Sequence, residues 1–294
     1  MAILSPFLSP ILRYGNFSNI ATCRKEKTEE VFVLKCIKKK HYNSEERELK
    51  ALKCLKSLDP DKNNIVRFFE CFEFKDCICL AFEKLDINLQ EFMIRRNCRP
   101  LRVSEVRAIA HQMLVALKAL TQIRITHANI KPESILLVDH LVKLIDFGAS
   151  CMTSNFTQFH EIQSFGYRAP EVYLGLRPDE SVDMWGLGCT LLFLFFGQHF
   201  YPTSQCETPK QYIRVTRTFT DENGNSYDHL ESLDDLQKMV PDIKDPTELG
   251  DLNRILPADA LNHKYISMEH LNEVDKRFSP GTPGTPAPPS TKLS

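Results

Sequence analysis

Between Asp183 and Phe196 the chain reads DMWGLGCTLLFLFF, and apolar residues fall on nearly every side of the helix this segment forms. A helix without a polar face has to be surrounded by other elements. Its most apolar stretch, Cys189 to Phe196, is eight residues long and holds a single threonine. A membrane span needs about 20. The segment therefore reads as the central helix of a helical lobe, and a membrane partner is not expected.

The N-terminal third has a different texture. Ile11, Leu12, Phe17 and Ile20 surround Gly15, and Val31 to Ile37 (VFVLKCI) is rich in β-branched and aromatic residues, so 11–38 reads as strands. Residues 44–57 read as a helix, with Ser44 as N-cap, Glu45 and Glu46 in the first turn, and Leu49, Leu52 and Leu55 at helical spacing. Strands follow at Ile65–Phe74 and Cys77–Glu83. From about residue 88 the pattern turns helical. Ser104 is the expected cap of a helix with Val106, Ile109, Met113, Leu117 and Leu120 on one face. Short strands are expected at Ile135–Val138 and Val142–Ile145. A strand-rich segment followed by a helical remainder fits an α+β chain in two lobes. Thr220–Asp235 is polar and turn-rich, and the tail from Ser279, SPGTPGTPAPPSTKLS, cannot bury enough apolar surface to fold.

Charge and cysteine usage narrow the function classes. Lys+Arg is 37 and Asp+Glu is 38, a net charge of −1. No cation excess exists to neutralise phosphates, so a nucleic-acid partner is not expected. Ten cysteines occur with no CxxC, which reads as reduced thiols in an intracellular protein, nuclear or cytoplasmic. The opening MAILSPFLSPIL has two prolines and no positive start, unlike a signal peptide. Lys38-Lys39-Lys40 reads as a solvated strand end.

Several short motifs then occur in one order. Leu12-Arg13-Tyr14-Gly15-Asn16-Phe17-Ser18-Asn19-Ile20 is similar to a glycine-rich phosphate loop. Lys35 ends VFVLK on a strand, and Glu48 lies on the next helix. His127-Ala128-Asn129-Ile130-Lys131-Pro132-Glu133-Ser134, Asp146-Phe147-Gly148, Ala169-Pro170-Glu171 and Asp183-Met184-Trp185-Gly186 follow. Singly each has a bland reading: a solvated lysine, a turn, a first-turn acid. In sequence they resemble a protein kinase domain. His127-Ala128, FECF at 69–72, YRAPE at 167–171, DMWGLGC at 183–189 and ALNH at 260–263 resemble, more narrowly, the homeodomain-interacting protein kinases, in the branch that includes the dual-specificity tyrosine-regulated kinases. The resemblance covers 11–271. It implies an N-lobe at 11–85 and a helical, shortened C-lobe at 86–271, after an N-terminal segment 1–10 and before a disordered tail 272–294.

The resemblance also implies roles. Lys35, held by Glu48, would face the ATP phosphates, Asp146 would ligate Mg²⁺, and Lys131 would sit by the γ-phosphate, as in Ser/Thr-directed members. Leu12, Gly15, Ile20, Val33 and Leu136 match the nucleotide slot. Phe82 matches the gatekeeper, and Glu83 and Leu85 match the hinge. His127, Phe147, Glu171, Asp183 and Arg254 match structural positions, Arg254 as the partner of Glu171.

Departures fall on the catalytic parts. Asn129 stands where the family has the Asp base, and a carboxamide cannot accept the substrate proton. Ser134 stands where the family has the Asn ligand of a second Mg²⁺, and a neutral hydroxyl on a shorter stem is a poor replacement. Arg13 and Ser18 replace two loop glycines, Val33 replaces a small Ala, Glu161 stands at the phosphotyrosine position and Phe165 at that of its Arg reader. The expectation is a nucleotide-binding pseudokinase, with weak or single-site use of ATP and Mg²⁺, acting through a protein partner. The alternative is a weakly active ATP-dependent Ser/Thr kinase.

Overall fold

The alternating residues of the first third build one antiparallel sheet. The computed structural model describes residues 7–14, 18–24, 30–39, 42–139, 141–154, 162–173, 178–201, 203 and 254–267. Strands β1 (Phe7–Tyr14), β2 (Ser18–Arg24), β3 (Val31–Lys38), β4 (Phe68–Phe74) and β5 (Cys77–Glu83) lie in the order β1-β2-β3-β5-β4. β1 begins at Phe7, inside the segment 1–10 set apart from the sequence. It includes Pro10, which an edge strand tolerates because no inner ladder needs its missing N–H. β4 starts at Phe68 rather than Ile65. Ile65 instead bridges Leu144, and the Val66 amide donates to the Leu144 carbonyl at 3.0 Å, so this pair joins the sheet to the lower lobe.

The register sets two faces. Val33, Lys35 and Ile37 point inward, opposite Phe82, Leu80 and Ile78; Phe32, Leu34 and Cys36 point outward. Helix α1 (Tyr42–Leu55) covers the inner face through the buried Ala51, Leu52 and Leu55. It starts two residues ahead of expectation, so Ser44 lies within its first turn rather than at its cap. The outer face has its own small cluster of Cys23, Phe32, Leu34 and Ala81.

The lower lobe opens with α2 (Leu89–Arg95), capped by Asn88, whose Oδ1 accepts the Glu91 amide at 2.7 Å. Helix α3 (Val103–Gln122) buries Val106, Ile109, Met113, Leu117 and Leu120 as its periodicity predicts. Its cap is Arg102 rather than Ser104, because the Glu105 carboxylate reaches back to accept the Arg102 amide at 2.7 Å. Strand β6 (Ile125–Thr126) pairs with β9 (Cys151–Met152), and β7 (Ile135–Val138) pairs with β8 (Leu141–Leu144). Then come α4 (Pro170–Tyr173), α5 (Ser181–Phe196), α6 (Pro257–Asn262) and α7 (Lys264–Ser267).

Helix α5 is central over most of its length, with Val182, Leu187, Phe193 and Leu194 buried. Its last turn is not fully covered: Leu192, Phe195 and Phe196 are exposed, Phe196 to 49%. Gly186 lets the helix pass close to the loop that carries Ile130, since a Cβ there would lie 2.8 Å from the Ile130 carbonyl oxygen. Among the described residues no helix is long and apolar enough to cross a membrane. Thr220–Asp235 and the tail 272–294 lie outside the described residues.

Candidate functional site

Three charged groups from three elements meet beneath the sheet. Lys35 projects from the inner face of β3, and its Nζ lies 2.8 Å from both carboxylate oxygens of Glu48 on α1. The same Nζ is 3.3 Å from Asp146 Oδ1. Glu48 is 2% exposed, whereas the Asp146 side chain is 45% exposed and open to the cleft. Burial opposes the Lys35 ammonium, but the attraction of Glu48 and Asp146 outweighs it and raises its pKa. For Asp146 desolvation pushes upward, and the Lys35 ammonium, aided by Lys131, holds the carboxyl below its ordinary value. Asp146 takes a left-handed backbone (φ 64°, ψ 71°), and Phe147 behind it is buried edge-on to the His127 ring at 5.0 Å.

The loop from His127 to Ser134 is held from below by α5. Asp183 accepts the His127 amide at 2.7 Å and the Ala128 amide at 2.8 Å, one per carboxylate oxygen. Burial pushes the Asp183 carboxyl up to about 7, while the two backbone donors pull the other way. The His127 ring is likewise held at both nitrogens. Nε2 lies 2.8 Å from the Ile145 carbonyl, which can only accept, and Nδ1 accepts the Asn129 amide at 3.2 Å. That fixes a neutral imidazole with its proton on Nε2, and burial lowers its pKa.

The polar side chains of this loop are turned on one another. Asn129 Oδ1 accepts both the amide and the hydroxyl of Ser164, at 3.1 and 2.9 Å. Lys131 Nζ donates to the same hydroxyl oxygen at 2.8 Å. Ser134 Oγ accepts the Lys131 amide at 3.0 Å and lies 3.1 and 2.9 Å from the carbonyls of Asn129 and Lys131. Ser134 is buried, and its hydroxyl closes the turn Pro132–Ser134.

Elsewhere on the sheet, Ile20 stands opposite Lys35 and Val33 opposite Phe82. Leu136 on β7 is half-buried and bridges Asn88. Leu85 is buried. Leu12 lies on β1, and Gly15 is outside the described residues. The Glu83 carboxylate is turned to the outer side, where Oε1 accepts the Arg67 amide and Lys143 Nζ, both at 2.6 Å. Lys143 also meets Asp61 at 2.7 Å.

Residues 10–266 match the family model of the protein kinase domain. The chain belongs to that family. Its curated relatives include homeodomain-interacting protein kinase 1 of Mus musculus, 37% identical over 210 residues that cover 69% of this chain and 17% of that protein. Homeodomain-interacting protein kinase 2 of Mesocricetus auratus is 31% identical over 325 aligned residues, covering 87% of this chain and 28% of that protein. Serine/threonine-protein kinase ppk15 of Schizosaccharomyces pombe is 41% identical over 198 residues, 65% of this chain and 37% of that protein. The chain thus spans between 17% and 37% of the length of these relatives. A solved kinase domain superposes with a TM-score of 0.70, at 24% identity, over 90% of this chain and 96% of its own. The fold is a bilobed protein kinase fold, and in sequence the chain is similar to the homeodomain-interacting protein kinases.

Protein kinases generally use ATP with Mg²⁺, and the donor set of this kinase domain fits that pair in part. Lys35 and Asp146 offer a cation and a hard oxygen ligand at the open side of the cleft. Ser134, its hydroxyl engaged within the loop, turns its polar atom inward.

Below the cleft of the kinase domain, Arg254 clasps Glu171 with two parallel bonds, NH2 to Oε2 at 2.6 Å, donates to Ser181 Oγ at 3.0 Å, and lies over the Trp185 ring. Phe165 stacks beneath the Arg168 guanidinium at 4.6 Å. Glu161 is outside the described residues. Ser164 is the site residue that sequence reasoning missed. Its one signal is its place just ahead of Tyr167-Arg168-Ala169-Pro170-Glu171.

Proposed function

We propose that this kinase domain binds a nucleotide and works through protein partners, with little or no phosphoryl transfer. The carrying observation is Asn129: a neutral amide stands at the base position, and its oxygen already accepts two bonds from Ser164. Losing a positioned base lowers a rate by about 10²–10⁴-fold. Lys35, held by Glu48, would bind phosphate oxygens, and Asp146 would hold a single Mg²⁺, whose chemistry is charge neutralisation. Ser134 is a loop tie in this reading rather than a second ligand. The exposed Leu192, Phe195 and Phe196, at the end of α5, are the surface offered to a partner. The compartment is intracellular, nucleus or cytoplasm.

A second reading, a weakly active Ser/Thr kinase, is favoured by Lys131, whose Nζ stays 2.8 Å from Ser164 Oγ beside Asn129. A loose transition state asks little of a base. Thermal unfolding with ATP, with and without Mg²⁺, run alongside autophosphorylation of wild type, Asn129→Asp and Asn129→Asp/Ser134→Asn, separates the two. Ligand at 100 times its Kd stabilises by about 2.7 kcal/mol, so a clear upward shift is expected. Turnover is expected to be low in wild type and in Asn129→Asp, and higher in the double variant. Absence of any shift at millimolar MgATP removes nucleotide binding, and robust wild-type turnover selects the second reading.

A further inference from the structure

Away from the cleft, the outer face of the sheet brings two sulfur atoms together. Cys36 on β3 and Cys79 on β5 are direct cross-strand partners. Their Sγ atoms are 3.6 Å apart, with the Cys79 thiol donating to Cys36. Directly opposed residues of antiparallel strands hold their Cβ atoms roughly 4.5–5.5 Å apart. A disulfide needs about 3.5–4.5 Å there and about 2.05 Å between sulfurs. Closing the bond therefore takes side-chain rotation and a small approach of two strands that are already paired.

The surroundings give the two sulfurs different roles. Cys79 is 2% exposed, while Cys36 is half-buried. The thiol hydrogen bond from Cys79 favours a Cys36 thiolate and holds its pKa down to about 7, against the pull of burial. That bond and burial push Cys79 upward. An accessible thiolate beside a second thiol can be oxidised and then resolved in place.

We infer that Cys36 and Cys79 are a peroxide-sensitive dithiol that closes to a reversible disulfide between β3 and β5. The Cys36 thiolate attacks one oxygen of hydrogen peroxide. An S–O bond forms, the O–O bond breaks, and the departing hydroxide takes a proton from solvent to become water. Cys79 sulfur then attacks the sulfenic sulfur of Cys36. The S–S bond forms, the S–O bond breaks, and the Cys79 proton leaves with that hydroxide as a second water. Two electrons pass from the thiol pair to one peroxide, and a dithiol reductant returns them.

The test treats the full chain with hydrogen peroxide, alkylates the remaining thiols with N-ethylmaleimide and maps the digested peptides by mass. Expected are a Cys36–Cys79 linked peptide and loss of alkylation at both positions, each reversed by dithiothreitol. With dimedone present, Cys79→Ser should trap an adduct at Cys36, and Cys36→Ser should leave Cys79 unlabelled. Wild-type mapping stands whether or not either variant folds. Full alkylation of both cysteines after peroxide overturns the inference, as does a link from either one to Cys77, Cys71 or Cys23.

Discussion

On the sheet side of the cleft, Lys35, Glu48 and Asp146 meet as full charges; on the loop side, Asn129, Lys131, Ser134 and Ser164 meet mostly through neutral amide and hydroxyl groups. The two regions differ in what a substitution costs. Removing one partner of a buried ion pair costs about 3–5 kcal/mol. Removing one neutral hydrogen bond costs about 1 kcal/mol. The departures at the base and second-metal positions, Asn129 and Ser134, fall on the cheaper side. A charged triad needed by the fold itself is thus weak testimony for turnover, and the loop residues are where activity has to be read.

The largest effect belongs to the charged side. Lys35→Met takes away the cation that both Glu48 oxygens meet, and equilibrium urea unfolding should show a loss of about 3 kcal/mol. A loss below about 1 kcal/mol would erase the contrast. On the loop side, Ser164→Ala removes the hydroxyl that joins Asn129 to Lys131 and should cost about 1.5 kcal/mol. Asn129→Asp keeps an oxygen acceptor facing Ser164 and should change stability by less than about 1 kcal/mol; the same unfolding series reads both. If Asn129→Asp proves as damaging as Lys35→Met, the loop is not the tolerant half.

The smallest effect is a pH dependence. His127 is held neutral, with its pKa below the ordinary 6.5. Below that pH the unfolded chain takes up a proton that the folded chain refuses, so this ring's contribution to stability is lost as the solution is acidified. At pH 6 the loss is at most about 0.8 kcal/mol. Asp183, pushed up to about 7, acts with the opposite sign: its folded form takes the proton first, and its contribution falls as pH rises towards 7. Comparing melting curves of wild type and His127→Gln from pH 7.5 to 5.5 separates the ring. Parallel curves would mean that His127 carries no such linkage.

Much of this architecture was legible in the chain because it rests on local periodicity. The apolar face of α3, the all-round apolar α5 and the β-branched run of β3 each follow from neighbouring residues. Boundaries slipped where one side chain decided them: Glu105 moved the start of α3 to Arg102, and edge position let β1 run through Pro10. Lys35, Glu48 and Asp146 were legible only through the order of motifs. Ser164 was not legible, since its partner Asn129 lies 35 residues away and nothing periodic links them. The Cys36–Cys79 pairing depends on sheet register across an intervening helix and strand, and alternation within Cys77–Glu83 says nothing of which residue stands opposite.

The hold of Asp183 on the backbone of His127 and Ala128 has a kinetic consequence. Those two amides are fastened to a carboxylate on α5, whose Val182, Leu187 and Phe193 lie in the interior. No small local fluctuation frees them without withdrawing the helix. Their protons should therefore exchange with deuterium at the pace of global unfolding, while the Lys39 amide, bonded to the Asp76 carbonyl at an exposed strand end, exchanges sooner. The loop at the heart of the cleft would then keep the slowest clock in the molecule, and lose its shape only when the helix beneath it does.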